Sequence, residues 1–179
     1  MRLALLALGL LPLAAPRLSA GDGPIRLSGQ ATLNLPANDL GRDMDHQLGY
    51  GLGIHGLHRH GDHHTSRTRF DWNVWAQGPA VNGVKTQVSN YHLAFDHLYH
   101  FDESSSGPYL VGGLGAVRWF VDQDAMGLRS RFHTTKLGVT AGAGWQFNRA
   151  TGLELRALVS SLDHTFDATT LQAAFTFRF

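Results

Sequence analysis

An eight-stranded antiparallel up-and-down β-barrel crossing a membrane is the fold this 179-residue sequence predicts. Three observations carry the prediction. Apolar and polar residues alternate with period two through most of the chain, which is the signature of strands with one apolar face. The alternating segments number eight and are long enough to cross a bilayer at a tilt of about 45°, which needs about 9–11 residues. Aromatic residues collect near their ends (Tyr99, Phe101, Trp119, Phe120, Trp145, Phe147, Phe177 and Phe179), where interfacial girdles belong.

Residues 1–20 stand apart. Arg2 gives a positive start, residues 3–15 an apolar run, and Leu18-Ser19-Ala20 an ending in small residues, the pattern of a cleaved secretory signal. The run of thirteen apolar residues makes a helix of about 20 Å, short of a hydrocarbon core of roughly 30 Å. The expected organisation is therefore a cleaved signal over 1–20 and one barrel domain over 21–179.

The strands follow in order. Residues 25–35 set Leu27, Ala31, Leu33 and Leu35 against Arg26, Ser28, Gln30, Thr32 and Asn34, and residues 46–57 set Leu48, Tyr50, Leu52 and Ile54 against Gly49, Gly51, Gly53 and His55. Residues 68–76 oppose Phe70, Trp72 and Val74 to Arg69, Asp71 and Asn73. Residues 87–101 oppose Tyr91, Leu93, Phe95, Tyr99 and Phe101 to Asn90, His92, Ala94, Asp96 and His100. Residues 108–120 are glycine-rich and their two faces are left open. Residues 131–147 place Leu137, Val139, Ala141, Ala143, Trp145 and Phe147 opposite Lys136, Gly138, Thr140, Gly142, Gly144 and Gln146. Residues 152–161 place Leu153, Leu155, Ala157 and Val159 opposite Glu154, Arg156 and Ser160. The clearest strand is the last, 168–179, where Leu171, Ala173, Phe175, Phe177 and Phe179 oppose Thr170, Gln172, Ala174, Thr176 and Arg178. Turn-rich segments separate them, with loops at the end away from the termini expected at 36–43, 78–84, 121–130 and 162–167.

A soluble barrel or sandwich would turn these apolar faces inward, and a transmembrane barrel turns them to lipid. Polar faces rich in Gly, Thr, Gln and Asn suit a narrow lumen filled by its own side chains, so the second arrangement is expected. Composition removes other classes. Without cysteine there is no disulfide, Cys-ligated zinc or thiol nucleophile. A net charge of +1, becoming −1 once Arg2 and Arg17 leave with the signal, offers nucleic acid no basic field. No later segment is a candidate transmembrane helix.

Two stretches carry a resemblance. Residues 107–118 (GPYLVGGLGAVR) and 141–158 (AGAGWQFNRATGLELRAL) resemble the fifth to seventh strands of small outer-membrane β-barrels of the OmpA/OmpX-like type. The final strand, with Phe175, Phe177 and Phe179 on one face, is similar to the assembly signal of Gram-negative outer-membrane barrels. The resemblance is to the barrel alone. It implies outer-membrane lipid and the barrel-assembly machinery as partners, a monomer, no cofactor, and residues 148–151 as the third of the short periplasmic turns. It implies no single role, because such barrels serve as adhesins, stress proteins, structural proteins or lipid-modifying enzymes.

The polar faces make an inventory of the lumen: Arg26, Gln30, Arg69, Asp71, His92, Asp96, Lys136, Gln146, Glu154, Arg156 and Arg178. Isolated buried ions are costly, so a charge network of Glu154, Arg156, Arg178, Arg69, Asp71 and Asp96 is expected, with Glu154 paired to Arg156 or Arg178. Five histidines fall between residues 55 and 64. Of these His58, His60, His63 and His64 are candidate metal ligands, or a pH-responsive turn, since imidazole binds Zn, Cu and Ni and titrates near neutrality. A small pore is the other alternative. Lipid A-modifying catalysis would need a Ser–His–acid set; Ser160, Ser161, Asp163 and His164 near one rim, and Ser89, His92 and Asp96 on one strand, are poorly spaced for it. The expected function is non-enzymatic, in envelope structure or surface interaction, with 121–130 as the contact loop.

Overall fold

The computed structural model describes residues 25–77, 83–102, 106–125 and 128–179. The expected signal at 1–20, and the tips of the expected loops at 78–82 and 126–127, lie outside them. Eight antiparallel strands close into a barrel, each paired with its sequence neighbours and the first with the last. They are β1 (Ile25–Pro36), β2 (Gly49–His60), β3 (His64–Trp75), β4 (Val84–His100), β5 (Gly107–Ala125), β6 (Leu128–Gln146), β7 (Thr151–Val159) and β8 (Thr170–Arg178). Among the described residues there is one short helix, α1 (Asn38–Asp43), between β1 and β2. Among the described residues no helix is long and apolar enough to cross a membrane.

The wall is inverted relative to a soluble sheet. Leu52, Ile54, Phe95, Leu114, Leu137 and Leu155 stand exposed on its outside, Leu137 at 69% and Phe95 at 67%. Asn34, Arg69, Asp71, Asn90, His92, Gln146 and Glu154 are fully buried inside. Through the middle of the wall the period-two rule thus sends most strands' polar sets to the lumen and apolar sets outward, where only hydrocarbon makes that exposure favourable.

One end of the barrel holds the start of β1, the end of β8 and the β2–β3 and β6–β7 turns. Gly61 takes a left-handed φ of 75° in the three-residue turn between His60 and His64, which pair across it, a geometry glycine adopts without a Cβ clash. The Asn148 carboxamide oxygen accepts the Ala150 and Thr151 amides at 2.8 and 2.9 Å and closes the β6–β7 turn at the expected 148–151. We call this the terminal end, and the opposite end distal.

Four features differ from the sequence expectations. Within the expected 121–130 loop the described residues are strand, β5 running to Ala125 and β6 starting at Leu128, which pair with each other. The 36–43 segment contains α1, which tucks Leu40 and Met44 into the barrel mouth. Strand β3 begins at His64 rather than 68, bringing Arg67 inside. Trp119 is fully buried in the lumen and is no part of a girdle. The open question of β5 is answered in the same place: Tyr109, Val111, Val117 and Trp119 are buried, while Leu110, Leu114 and Arg118 face out.

Candidate functional site: the lumen and the distal mouth

The inward column of β3 gives the order of the interior. From the terminal side it reads Arg67, Arg69, Asp71, Asn73, Trp75, all buried, so the lumen passes from ionic through amide to apolar.

In the ionic tier the Arg67 guanidinium donates twice to Glu154, Nη1 to Oε2 at 2.7 Å and Nη2 to Oε1 at 2.9 Å. Its Nε donates to Asp96 Oδ2 at 2.8 Å. Glu154 lies on β7, four strands from β3 in a ring of eight, so this pair crosses the lumen from wall to opposite wall. Arg69 donates to Asp96 (Nε–Oδ2, 2.8 Å) and to Asp71. Arg156 donates to Glu154 at 2.7 Å, to Gln172 at 2.6 Å, to Gln30 at 3.1 Å and to Asp71 at 3.4 Å. The Tyr109 and Thr140 hydroxyls donate to Glu154 and Asp96 at 2.9 and 3.1 Å, and the Gln30 amide to Asp71 at 2.6 Å. Three guanidinium groups thus face three carboxylates with formal charges cancelling, in charge-assisted and partly bidentate contacts. Room for them comes from glycine: a Cβ on Gly53 would collide with Asp71, one on Gly113 with Asp96, and one on Gly144 with the Tyr109 ring.

The amide tier is a chain of three asparagines. Asn34 and Thr32 donate to Asn73 Oδ1 at 2.9 and 3.2 Å, and Asn73 donates to Asn90 at 2.9 Å. Beyond it the barrel fills with Trp75, Val88, Val117, Trp119, Val121, Leu158, Leu162 and Ala168, closed by Leu40 and Met44 from the α1 connection and by Phe166. The Trp119 indole N–H donates to Ser160 Oγ at 3.3 Å.

Of the six expected network residues, Arg69, Asp71, Asp96, Glu154 and Arg156 meet in the ionic tier. Arg178 is half-buried nearer the terminal mouth, opposite Ser28, and among the described residues it forms no salt bridge. Sequence reasoning missed Arg67, whose signal was its position two residues before Arg69 on the same face. Of the rest of the inventory, Gln146 donates to the Asn148 and Thr151 carbonyls at 2.7 and 2.8 Å, and Arg26 is exposed.

The histidines spread around the terminal rim instead of converging. His58 and His60 lie ring to ring on the outer face of β2, with centroids 4.4 Å apart, and His60 is hydrogen-bonded to Ser66 at 2.8 Å. His64 shares a 3.0 Å hydrogen bond with His97, and His63 is bonded to the His100 carbonyl at 2.9 Å. Among the described residues no group of three or more His, Asp or Glu is placed to hold a metal ion.

Neither Ser–His–acid candidate assembles. Ser89 is on the outer face while His92 and Asp96 are buried on the inner one, and the acid nearest His92 Nδ1 is Asp71 at 4.0 Å. At the rim Ser160 donates to the Leu137 carbonyl at 3.2 Å. Asp163 Oδ1 is taken by the Thr165 and Phe166 amides at 2.7 and 2.8 Å and by the Thr165 hydroxyl at 3.0 Å. Those bonds hold its carboxyl below the usual Asp range and leave it engaged with its own turn. Phe175 and Phe177 face outward on β8, edge to face at 4.8 Å, and Phe179 follows the strand, exposed.

Solved structures share this architecture. Ail, the attachment invasion locus protein of Yersinia pestis, is 14% identical with a TM-score of 0.63, over 87% of this chain and 97% of that one. The N-terminal β-barrel domain of Pseudomonas aeruginosa OprF gives 12% and 0.61 over 86% and 97%. Neisserial surface protein A gives 16% and 0.55 over 87% and 96%. At such identities the likeness is one of fold. No curated protein matches the chain. The model of one family, described as the outer membrane protein beta-barrel domain, matches residues 3–179, and together with the inverted wall this establishes that the chain is a small outer-membrane β-barrel belonging to that family.

Proposed function

We propose that this barrel is a non-enzymatic envelope protein whose lumen is a structural plug and whose working surface is its distal end. The carrying observation is the Arg67–Glu154 pair, which spans the bore from β3 to β7 with both carboxylate oxygens engaged. An eight-stranded barrel is only just wide enough for its own side chains, and a bidentate pair across it, flanked by Arg69 and Arg156, leaves ions no path without breaking buried salt bridges. The apolar tier above adds a second obstruction. The engaged Ser160 and Asp163 speak against hydrolysis at the rim.

The same reading includes export with removal of residues 1–20, insertion by the assembly machinery through the Phe175, Phe177 and Phe179 strand, a monomeric state, and termini in the periplasm with the distal end outside the cell. Planar-bilayer recording and lipid A mass spectrometry test its core. Purified protein is expected to give no unitary currents, and cells with and without it the same number of lipid A acyl chains. Discrete conductance steps would make it a pore; a shift in acyl count would make it an enzyme.

A further inference from the structure

The histidine-rich hairpin divides its side chains between two faces, and one of these is completed from elsewhere in the chain. By strand parity His58 and His60 on β2 and His64 on β3 project outward, whereas His55 is buried inside and His63 is bonded to the His100 carbonyl. Across the β2–β3 ladder His60 faces His64 and His58 faces Ser66. Across β3–β4 Ser66 faces His97, which also projects outward. Four exposed imidazoles therefore surround Ser66 on one patch of the wall. The patch stands at the terminal border of the apolar band, two residues along β4 from Phe95 and four along β2 and β3 from Ile54 and Phe70.

Two of these rings already stand as a pair. His64 Nδ1 and His97 Nε2 lie 3.0 Å apart. Between neutral imidazoles that contact is an N–H donating to a lone pair. Moving the shared proton to the far nitrogen of its own ring frees both lone pairs without changing the charge of either ring. Two nitrogens 3.0 Å apart, each about 2.0–2.1 Å from a shared ion, subtend about 95° at it, where a tetrahedral centre would set them about 3.3 Å apart. A near-right angle is the tetragonal geometry of Cu²⁺ or Ni²⁺. His60, the ladder partner of His64, can supply a third donor by leaving its 2.8 Å hydrogen bond with the Ser66 hydroxyl. His58 packs edge to face on that ring at 4.4 Å. No Asp or Glu stands on the outward face of β2, β3 or β4. The donors are thus imidazoles alone, which suit Cu²⁺, Ni²⁺ and Zn²⁺ and not the oxygen-seeking Ca²⁺ and Mg²⁺.

We infer that His64 and His97, with His60 as third donor, bind a divalent transition-metal ion of the Cu²⁺ or Ni²⁺ kind on the outer wall at its terminal border. The first two donors are paired before the ion arrives, and the third lies one ladder position away. The ion exchanges one imidazole–imidazole hydrogen bond and one hydroxyl contact for three metal–nitrogen bonds. This donor set differs from a chelate confined to the turn, because it gains His97 from β4 and leaves out His63. It is independent of what the distal end does and of whether the lumen is closed.

Titration of the untagged barrel in detergent micelles with Ni²⁺, followed by calorimetry, and with Cu²⁺, followed by electron paramagnetic resonance, tests it. One equivalent of Ni²⁺ is expected to bind, and bound Cu²⁺ should give a tetragonal spectrum with nitrogen hyperfine splitting. H64A and H97A should each weaken Ni²⁺ binding by at least about tenfold, the lower bound for loss of even an outer-shell partner. H60A should weaken it as well, and H63A should leave it unchanged. All four variants should keep the heat-modified gel mobility of the folded barrel, since none of these side chains is in the buried lumen. Ca²⁺ at the same concentration should not displace the bound Ni²⁺. Three results would each overturn the inference: no more heat than a variant carrying both H64A and H97A gives, binding lost in H63A but kept in H97A, as for a chelate within the turn, or displacement of Ni²⁺ by Ca²⁺, as for a site built from carboxylates.

Discussion

The middle of the lumen and its distal third fill the same narrow bore with opposite chemistries. Arg67, Arg69, Arg156, Asp71, Asp96 and Glu154 make a closed, formally neutral network, whereas Trp75, Val117, Trp119, Leu158 and Leu162 pack as an ordinary apolar core. The ionic tier fixes geometry, since each guanidinium fits only where its carboxylates stand, but desolvation consumes most of its attraction. The apolar tier stabilises by burial and tolerates changes of shape in proportion to the volume lost. The bore is thus held in register by one set of contacts and held shut by the other.

That contrast predicts different responses to substitution. Arg67→Ala strips a partner from Glu154 and from Asp96 together and should cost about 3–5 kcal/mol, the range for breaking a buried pair, by urea unfolding in micelles. Replacing both ends, Arg67→Met with Glu154→Leu, should cost clearly less than the two single changes added; strict additivity would show that the pair does not act as a unit. In the apolar tier Leu158→Ala should cost about 2–4 kcal/mol by cavity formation. In the amide tier Asn73→Ala should cost about 1–2 kcal/mol, leaving Asn34 and Asn90 each short of a partner.

The smallest effect is at the mouth. The Thr169 hydroxyl and amide and the Asn38 carboxamide hold the Asp167 carboxyl below its ordinary value of 3.8. A depressed folded-state value gives stability that is complete above the ordinary value and is lost as pH falls through the folded one. Protease cleavage of the β7–β8 connection should rise below about pH 4, the ordinary Asp range, and Asp167→Asn combined with Asp163→Asn, whose carboxyl is also held low by its own turn, should remove most of that dependence.

The same contrast explains what the sequence showed. Where inward positions are polar, as on β1, β4 and β8, strict alternation declares the lumen face, and Asp96 or Gln172 can be assigned by period alone. Where inward positions are apolar or glycine the two faces look alike. Tyr109, Val111, Gly113, Gly115, Val117 and Trp119 give β5 no polar face, so its orientation was not legible and Trp119 resembled an interfacial aromatic. Which ions meet was partly legible: five residues of the network follow from period two, but the choice of Arg67 over Arg178 for Glu154 depends on the closure that sets β3 opposite β7. Continuation of β5 to Ala125 and of β6 from Leu128 was hidden by Asp122 and Asp124, residues that read as turn formers yet here sit within β5. The short α1 lacks any side-chain cap on Ala37 and is held by Ala37 and Leu40 amides bonded to the β7–β8 connection, which no local signal announces.

The four tryptophans divide between the surfaces on which the account depends: Trp72 and Trp145 lie exposed on the wall at 44% and 53%, and Trp75 and Trp119 are fully buried inside. Variants keeping one tryptophan each, with phenylalanine at the other three positions, can be reconstituted in vesicles whose acyl chains are brominated. Fluorescence of Trp72 and Trp145 should be strongly quenched by the lipid, and that of Trp75 and Trp119 left nearly unchanged. Quenching of Trp75 and Trp119 with Trp72 and Trp145 spared would contradict an apolar exterior around a filled lumen.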